Sequence, residues 1–176
     1  MAPSSTDTFL ESRRLAALLA LQVMDSAPIP ALDRIATIAC QALDVKNAVI
    51  SFVASTRCWN SATVGYSDRE IDRSQAFCNA TIQQCDVLVV ADAAADARYA
   101  HFRSVREHGI RFYAGAPITT STGARVGVVA VLDTEPRAGL THEERATLVD
   151  LAALATIHLE ARYQICLLYT SDAADE

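Results

Sequence analysis

Lysine is almost absent from this chain of 176 residues, because Lys46 is the single lysine among 15 basic side chains. A P-loop ammonium or a Schiff-base lysine therefore has almost no residue to come from. Acidic residues outnumber basic ones by 21 to 15, for a formal net charge of −6. Nucleic acids and anionic membranes both favour a basic protein surface, so the sequence predicts neither kind of partner.

Glycine and proline are also scarce, with six and five residues in a chain that is 51% hydrophobic. These proportions exclude collagen-like sequence and intrinsic disorder, and the length is that of one domain with a sizeable core. No run of about 18 apolar residues predicts a transmembrane helix. The N-terminus lacks the basic and apolar regions of a secretory signal peptide.

The cysteines follow no recognisable pattern. Five are present, at positions 40, 58, 78, 85 and 166, and none forms a CxxC pair. An odd number with this spacing fits neither a disulfide framework nor a zinc knuckle, so reduced thiols in a cytoplasmic protein are expected. HExxH, GxSxG, GxGxxG and P-loop motifs are missing too, and we therefore predict no catalytic residue and no metal site.

Capping signals and apolar periodicity predict three longer helices. Thr8–Glu11 has the spacing of a capping box, and the first helix is expected from there to about Met24. Pro30 is well placed to open a second helix, since proline is favoured in the first helical turn. Thr141–Glu144 is another capping box, which predicts a final helix that reaches at least Arg162.

Alternating or continuous apolar residues predict strands over Ala48–Ala54, Cys58–Val64, Val87–Ala91, Ile110–Pro117 and Arg125–Asp133. The first strand has apolar residues at both odd and even positions, which is typical of a strand covered on both faces. The second alternates more and is expected nearer an edge. The last two bracket a turn-rich connector and predict an antiparallel hairpin.

The segments between these strands predict a loop and two short helices. Gly65–Arg73 is polar and is interpreted as a loop. Ser74 is a plausible N-cap for a short helix that continues through Gln84. Tyr99–His108 predicts a second, irregular helix that ends at Gly109, a typical C′ residue.

The fold class predicted from this order is α/β (α+β), a three-layer sandwich with a central, mostly antiparallel sheet of five to six strands. We expect a single domain over residues 9–163, after an N-terminal tail at 1–8. The Arg- and Ala-rich helical pattern stops near Cys166, and the segment CLLYTSDAADE resembles an adapter-derived sequence. Residues 164–176 are therefore interpreted as an artefactual tail.

Six short motifs in order resemble the GAF domain family, over about Glu11–Arg162. They are RLAAL with MDS (14–18 and 24–26), LDRI (32–35), QAFCNATI (75–82), VAD with DARY (90–92 and 96–99), IRFYAGAP (110–117), and GVVAVLD followed by PR (127–133 and 136–137). The likeness is to the type found at the N-terminus of bacterial sensor histidine kinases and diguanylate cyclases, or as a short stand-alone protein.

This resemblance implies a GAF-like sandwich with the terminal helices on one face of the sheet. The short helices and a ligand pocket would lie on the other face. It also implies a homodimer through the terminal helices and signalling to a histidine kinase or cyclase output module. A small organic or nucleotide-like ligand is expected. A covalent bilin is not, because Asn79 follows Cys78 where bilin-binding members have histidine beside the cysteine.

The candidate pocket residues are Trp59, Phe77, Cys78, Ile82, Asp92, Tyr99, Phe112 and Tyr113. Cys78, Ile82 and Cys85 share a helix face, either as the pocket floor or, as we prefer, as simple packing. Trp59 has two open roles, stacking on a heterocycle or closing the sheet edge.

The remaining candidates also have alternatives. Phe112 and Tyr113 point to opposite faces, so at most one lines the pocket. For Asp92 a capping role is preferred over metal binding.

Three functional hypotheses follow. The first is a non-catalytic sensory module for a small molecule. The second is an enzyme, a thiol-dependent reductase of free methionine sulfoxide that would use Cys58, Cys78 or Cys85. The glycine-rich segment that precedes the cysteine of those enzymes is missing here, where Ser74 to Phe77 stand instead. The third is a dimerisation scaffold whose interior is filled by its own side chains.

Overall fold

The computed structural model describes residues 5–174, and the surroundings of side chains from 6 to 171. In chain order the elements of this part are α1 (Ser5–Ala20), α2 (Pro30–Leu43), β1 (Asn47–Val53), β2 (Arg57–Val64), β3 (Glu70–Asp72), α3 (Phe77–Thr81), β4 (Leu88–Val90), α4 (Arg103–Arg106), β5 (Phe112–Thr119), β6 (Arg125–Asp133) and α5 (His142–Ala174). A 3-10 turn, Arg73–Gln75, precedes α3.

The strands form one six-stranded sheet in the order β3-β2-β1-β6-β5-β4. Each neighbouring pair is antiparallel, which confirms the predicted mostly antiparallel sheet. β5 and β6 pair from Phe112 opposite Asp133 to Thr119 opposite Arg125, and this is the predicted hairpin. β1 lies near the centre, and all seven of its residues are buried because both faces of the sheet are covered.

The long helices α1, α2 and α5 cover one face of the sheet. Leu18, Leu32 and Leu148, one from each helix, belong to the same core cluster as Ile50 and Phe52 of β1. This confirms the predicted placement of the terminal helices on one side. Because successive strand residues point to opposite faces, the neighbours of those β1 residues face the other way.

The opposite face is covered by α3, α4 and the loops around them. A second core cluster joins Val49 of β1 and Tyr113 of β5 to Phe77, Tyr99 and Phe102 from this layer. The three layers are therefore long helices, sheet, and short helices, as predicted. In the described part of the chain no helix has both the length and the apolar character needed to cross a membrane.

Two of the predicted helix starts are confirmed. Pro30 is the first residue of α2. At α5 the amide of Glu144 donates to Thr141 Oγ1 over 3.2 Å, and the amide of Thr141 donates to Glu144 Oε2 over 2.8 Å. This reciprocal pair is a capping box and satisfies two amides that a helix start otherwise leaves unpaired.

The capping box predicted at Thr8 is wrong. Helix α1 already begins at Ser5, inside the stretch interpreted as a tail, and the Glu11 carboxylate accepts from Arg14 and Arg73 instead. The helix also ends at Ala20, four residues before the predicted end, because the chain turns into the left-handed region, with φ of +51° at Gln22.

The region of residues 65–84 differs most from its prediction. The supposed loop contains β3, a short strand that pairs with β2 and forms the sheet edge. Asp72, not Ser74, is the capping residue, since its carboxylate accepts from the Ser74 amide at 2.8 Å. The predicted helix to Gln84 is a 3-10 turn followed by the five residues of α3. The predicted helix over Tyr99–His108 is likewise reduced to the four residues of α4.

The final helix extends beyond the predicted domain end. α5 continues through Ala174, so it includes residues 164–174 of the predicted tail. The artefactual origin of that segment stays a prediction. Residues 1–4 and 175–176 of the two predicted tails lie outside the described residues.

Candidate functional site

A small cavity lies between the sheet and the short helices. Its volume is about 20 Å³, and its lining comprises Val49, Asn60, Tyr66, Ile71, Gln75, Ala76, Phe77, Cys78, Ser104, Tyr113 and Leu132. A cavity of this size holds one water molecule. It lies on the face of the sheet where the GAF resemblance implies a ligand pocket.

Two buried polar atoms in this lining have no partner among the described protein atoms. They are Asn60 Oδ1 and Ser104 Oγ, on side chains of residues that are 1% and 6% exposed. The Asn60 amide is oriented by its other end, because Nδ2 donates to the Asp68 carbonyl at 2.7 Å. The atom left over is therefore the acceptor, and a buried acceptor without a donor is costly. These two atoms belong to side chains of a lining that is otherwise mostly apolar and aromatic.

Aromatic rings occupy most of the space beside the cavity. The ring of Phe77 stacks on Tyr113, with centroids 4.6 Å apart and planes at 17°. Tyr99 and Phe102 pack against Phe77 at 5.1 and 5.2 Å. A guest larger than water would therefore have to displace Phe77 and the short segment that holds it.

The ionisable groups in the lining are held neutral by burial. The Tyr113 hydroxyl lies 2.7 Å from Thr81 Oγ1, which itself donates to the Phe77 carbonyl, so the tyrosine is the donor of the pair. Burial raises the pKa of Tyr113 well above its ordinary value, and it also raises the pKa of Cys78 and of Tyr66. The cavity lining therefore carries no charge at neutral pH.

An ion-pair network connects the cavity lid, residues 73–82, to α1. Arg73, at the start of the lid, donates to the Glu11 carboxylate of α1 and, through Nε, to Asn79 Oδ1 at 2.8 Å. Arg14 also donates to Glu11, and its Nη1 reaches the Val53 carbonyl at 2.6 Å. The hydrogen bond from Arg14, with a further one from Arg73, lowers the pKa of Glu11 to about 2. The Glu11 carboxylate of α1 is therefore linked to the lid through Arg73 and to the sheet through Arg14.

A second polar group borders the cavity on the side of Tyr66. His108 Nε2 lies 2.8 Å from Asp68 Oδ2, and the rings of His108 and Tyr66 meet edge to face at 5.3 Å. Since the Asp68 carbonyl also accepts from Asn60, this pair fixes the loop that orients the Asn60 amide.

A larger groove lies elsewhere, with a volume of about 840 Å³, along the first half of α1. Three of its four arginines donate hydrogen bonds within the protein, and the guanidinium of Arg13 lies 5.9 Å from the ring centroid of Phe9. Arg14 donates to the Val53 carbonyl, and Arg125 Nε donates to the Ile82 carbonyl at 2.6 Å. The groove is open to solvent, and these arginines tie α1 and the β5-β6 hairpin to the domain. We take the small cavity as the candidate site, because two of its lining residues carry buried polar atoms without a partner.

Five of the eight predicted pocket residues lie together on the cavity side of the sheet: Phe77, Cys78, Ile82, Tyr99 and Tyr113. Of these, the first two and the last line the cavity itself. Cys85, which was predicted to share the helix face of Cys78, lies beyond the end of α3 and is exposed.

Phe112 and Trp59 are not at the cavity. Phe112 belongs to the core cluster under the long helices, where the guanidinium of Arg137 lies 5.7 Å from its ring centroid. Trp59 pairs directly with Phe52 of β1, and residues directly opposite in an antiparallel pair share a face, so Trp59 also lies on the long-helix side. Its Nε1 is buried without a partner in the described part of the molecule.

Asp92 forms a surface turn away from the cavity lining. Its carboxylate accepts from Arg111 Nε at 2.6 Å and from the Ala94 amide at 3.2 Å. The hydrogen bond from Arg111 is the main cause of its lowered pKa. Across the residues that the structure describes, no three His, Cys, Asp or Glu side chains are grouped as metal ligands would be.

Sequence reasoning did not find Asn60, Ser104 or Tyr66. The sequence did contain a signal for Asn60. It stands two residues after Cys58 in a predicted strand, so both side chains are expected on the same face of the sheet. Ser104 carries no such signal, because its burial depends on how α4 packs.

Comparison with known proteins places this geometry in a family. The model of the GAF domain matches residues 27–159. A cyclic di-GMP phosphodiesterase of Pseudomonas aeruginosa is 40% identical over 114 residues, which are 63% of this chain and 19% of that protein. The chain thus spans about a fifth of the length of this curated relative.

Solved structures share the fold. The GAF domain of an Acinetobacter phosphoenolpyruvate-protein phosphotransferase superposes with a TM-score of 0.66 at 16% identity, covering 93% of this chain and 98% of that one. A free methionine-R-sulfoxide reductase from Neisseria meningitidis, solved with its substrate, gives 0.65 at 17% identity, covering 94% and 96%. At such identities the likeness concerns the fold alone. The family match covers most of the chain, and the chain belongs to the GAF domain family.

Proposed function

We propose that the chain is a non-catalytic sensory GAF module of cytoplasmic bacterial signalling. It binds a small molecule in the cavity between the sheet and the short helices, and it reports occupancy through its terminal helices. The output is a partner protein or an attached module of the histidine kinase or cyclase type. The chain acts as a homodimer through those helices.

The observation that carries this proposal is the cavity with its two unpartnered polar atoms, Asn60 Oδ1 and Ser104 Oγ. Buried polar groups in native proteins are nearly all hydrogen-bonded. Two such atoms on side chains that line one cavity therefore favour a guest that pairs with them. The lid over the space is short, because α3 has five residues. Its side chains Phe77, Cys78 and Ile82 are buried, so a guest must compensate the packing that is lost when the lid opens.

The network at Glu11 supplies a route from the cavity to the helices. The lid that contains Phe77 starts at Arg73, whose guanidinium is paired with Glu11 of α1. A guest that displaces Phe77 moves this guanidinium and alters the ion pair. Occupancy then biases the position of α1, because the guest binds the displaced state better than the closed one.

The relatives support a signalling role. The matched curated protein is named for cyclic di-GMP hydrolysis, and this chain corresponds to only a fifth of it. The match therefore favours a role as one module of a signalling protein. The phosphodiesterase activity is stated only in the name of the relative, and we do not transfer it to this chain.

The reductase alternative has support from the fold of the Neisseria enzyme. Two of the three candidate thiols argue against it, since burial raises the pKa of Cys58 and Cys78, and the thiolate is the reactive form. The third, Cys85, is exposed but lies beyond the end of α3 and outside the cavity lining. We expect no thiol-dependent turnover of free methionine sulfoxide. Turnover that Cys78→Ser abolishes would overturn this choice.

A dimerisation scaffold is the second candidate, and the small volume of the cavity favours it. The interior is nearly filled by its own rings. Several large apolar side chains on α1 and α5 are exposed, among them Leu19 at 77% and Ile157 at 65%. Such residues suit a helix-mediated dimer in either hypothesis, so only the response to occupancy separates the two.

The deciding experiment combines native mass spectrometry with hydrogen exchange. The full chain is purified under native conditions and examined for a non-covalent adduct. In parallel, Ser104→Leu adds more side chain than the water-sized cavity can hold and therefore displaces the lid as a guest would, with Ser61→Leu as a matched control away from the lining. The sensor proposal predicts faster amide exchange in the first half of α1 for Ser104→Leu only. Unchanged exchange in α1, together with a protein that carries no adduct, would favour the scaffold.

A further inference from the structure

The chemistry of the cavity lining restricts what the site can accept, and this inference rests on the proposed sensory function. None of the eleven lining residues is Asp, Glu, Lys, Arg or His. A buried charge is costly unless an opposite charge or several hydrogen bonds compensate it. The site offers neither, so a carboxylate, phosphate or ammonium group on the guest would be left uncompensated inside it.

The unpaired atoms further define the guest. Asn60 Oδ1 is an acceptor, because the amide nitrogen of the same side chain is already bonded to the Asp68 carbonyl. It needs an N–H or O–H group from the guest. The hydroxyl of Ser104 both donates and accepts, so it complements a carbonyl or a second hydroxyl on the guest. The walls beside these atoms are aromatic, from Tyr66, Phe77 and Tyr113.

We propose that the cavity selects small uncharged molecules that carry at least one N–H or O–H group for Asn60 Oδ1, such as primary amides and alcohols. Anions are excluded, and isosteres without a donor bind more weakly. One water fills a space of this size, so a guest of several atoms enters only when the lid that carries Phe77 is displaced. Phosphate-bearing nucleotides are excluded from the cavity itself.

Acetamide, acetone and acetate test this selectivity, because they have the same number of non-hydrogen atoms. Acetamide offers a donor and an acceptor, acetone only an acceptor, and acetate acceptors with a negative charge. The full-length chain, labelled with ¹⁵N, is titrated with each molecule to high concentration, since ligands of four atoms bind weakly. Backbone amide shifts at Asn60, Phe77 and Ser104 report binding.

Acetamide is expected to shift these amides saturably, with an affinity about three- to tenfold higher than acetone, which corresponds to one hydrogen bond. Acetate should give no saturable shift. Equal binding of acetone, preferred binding of acetate, or no saturable shift with acetamide would each overturn the proposal.

Two serine variants make the test specific. Ser104→Ala removes a cavity hydroxyl, and Ser61→Ala removes a buried hydroxyl that also lacks a protein partner but lies outside the lining. Ser104→Ala should weaken acetamide binding about three- to tenfold, while Ser61→Ala leaves it unchanged. Equal effects of both variants would contradict the assigned site. Amide shifts measure which guest is accepted, whereas exchange in α1 measures signalling, so the two proposals fail separately.

Discussion

Replacing Glu11 by glutamine removes the charge that joins the lid to the first helix. In the folded protein the carboxylate accepts hydrogen bonds from Arg14 and Arg73, and these lower its pKa from 4.5 to about 2. A shift of that size corresponds to roughly 3 kcal/mol of favourable interaction with the ionised form. The Glu11 side chain is 34% exposed, so solvent screening reduces the expected loss of unfolding free energy to about 1–2 kcal/mol.

The effect of Glu11→Gln depends on pH in a defined direction. Because the pKa of Glu11 is lowered in the folded state, the ionised carboxylate contributes its full stabilisation at pH values above the unfolded-state pKa of 4.5. That contribution is lost as the pH falls towards about 2. The difference in unfolding free energy between wild type and Glu11→Gln should therefore be constant from about pH 5.5 to 7.5 and shrink below about pH 4.5.

Urea denaturation at pH 7 and pH 3 measures this difference, with Glu107→Gln as a matched control. Glu107 also pairs with an arginine, Arg103, but both side chains are 59% exposed. Such a surface pair contributes at most about 0.5 kcal/mol. If Glu11→Gln costs no more than Glu107→Gln, or if its cost is the same at both pH values, the network does not hold α1 to the lid as described.

Three further predictions concern the fold. In the native protein Ellman's reagent should titrate two thiols, the exposed Cys85 and Cys166, against five after denaturation; fast labelling of a third would contradict the burial of the rest. Thr141→Ala should lower the unfolding free energy by about 1 kcal/mol, because it removes the hydroxyl that caps the start of α5. An unchanged urea midpoint would refute this prediction. Gly127→Ala should cost about 1–3 kcal/mol, since its Cβ would meet the Ser51 carbonyl oxygen at 2.5 Å; a neutral result would show that the strands can separate there.

The elements that local signals determine were predictable from the sequence. Pro30 begins α2 and the Thr141 box begins α5, because both signals act on amides within one helical turn. β1 was predictable from its continuous run of mostly apolar residues. The β5-β6 hairpin was predictable from two apolar runs on either side of a turn. Thr8–Glu11 shows the limit of such patterns. The spacing of a capping box is present, but Arg14 and Arg73 compete for the carboxylate, and Arg73 is distant in sequence.

The candidate site was only partly predictable. Phe112 and Tyr113 are consecutive in a strand, so the sequence predicts that they face opposite sides of the sheet. It does not predict which of the two faces the cavity. The register of β5 against β6 determines that Tyr113 is the residue that faces the cavity. Asn60 and Ser104 are ordinary polar residues in the sequence. Their importance arises from burial without a partner, a property of the packed structure that no local pattern contains.

The most direct test of the link between cavity and helix is hydrogen exchange of α1 with acetamide as the guest. In the wild-type chain, saturating acetamide should speed amide exchange over the first half of α1, because the displaced lid loosens the ion pair between Arg73 and Glu11. In Glu11→Gln the same addition should shift the cavity amides and leave exchange in α1 unchanged. Saturable shifts at the cavity with no change of α1 in the wild-type chain would contradict the account.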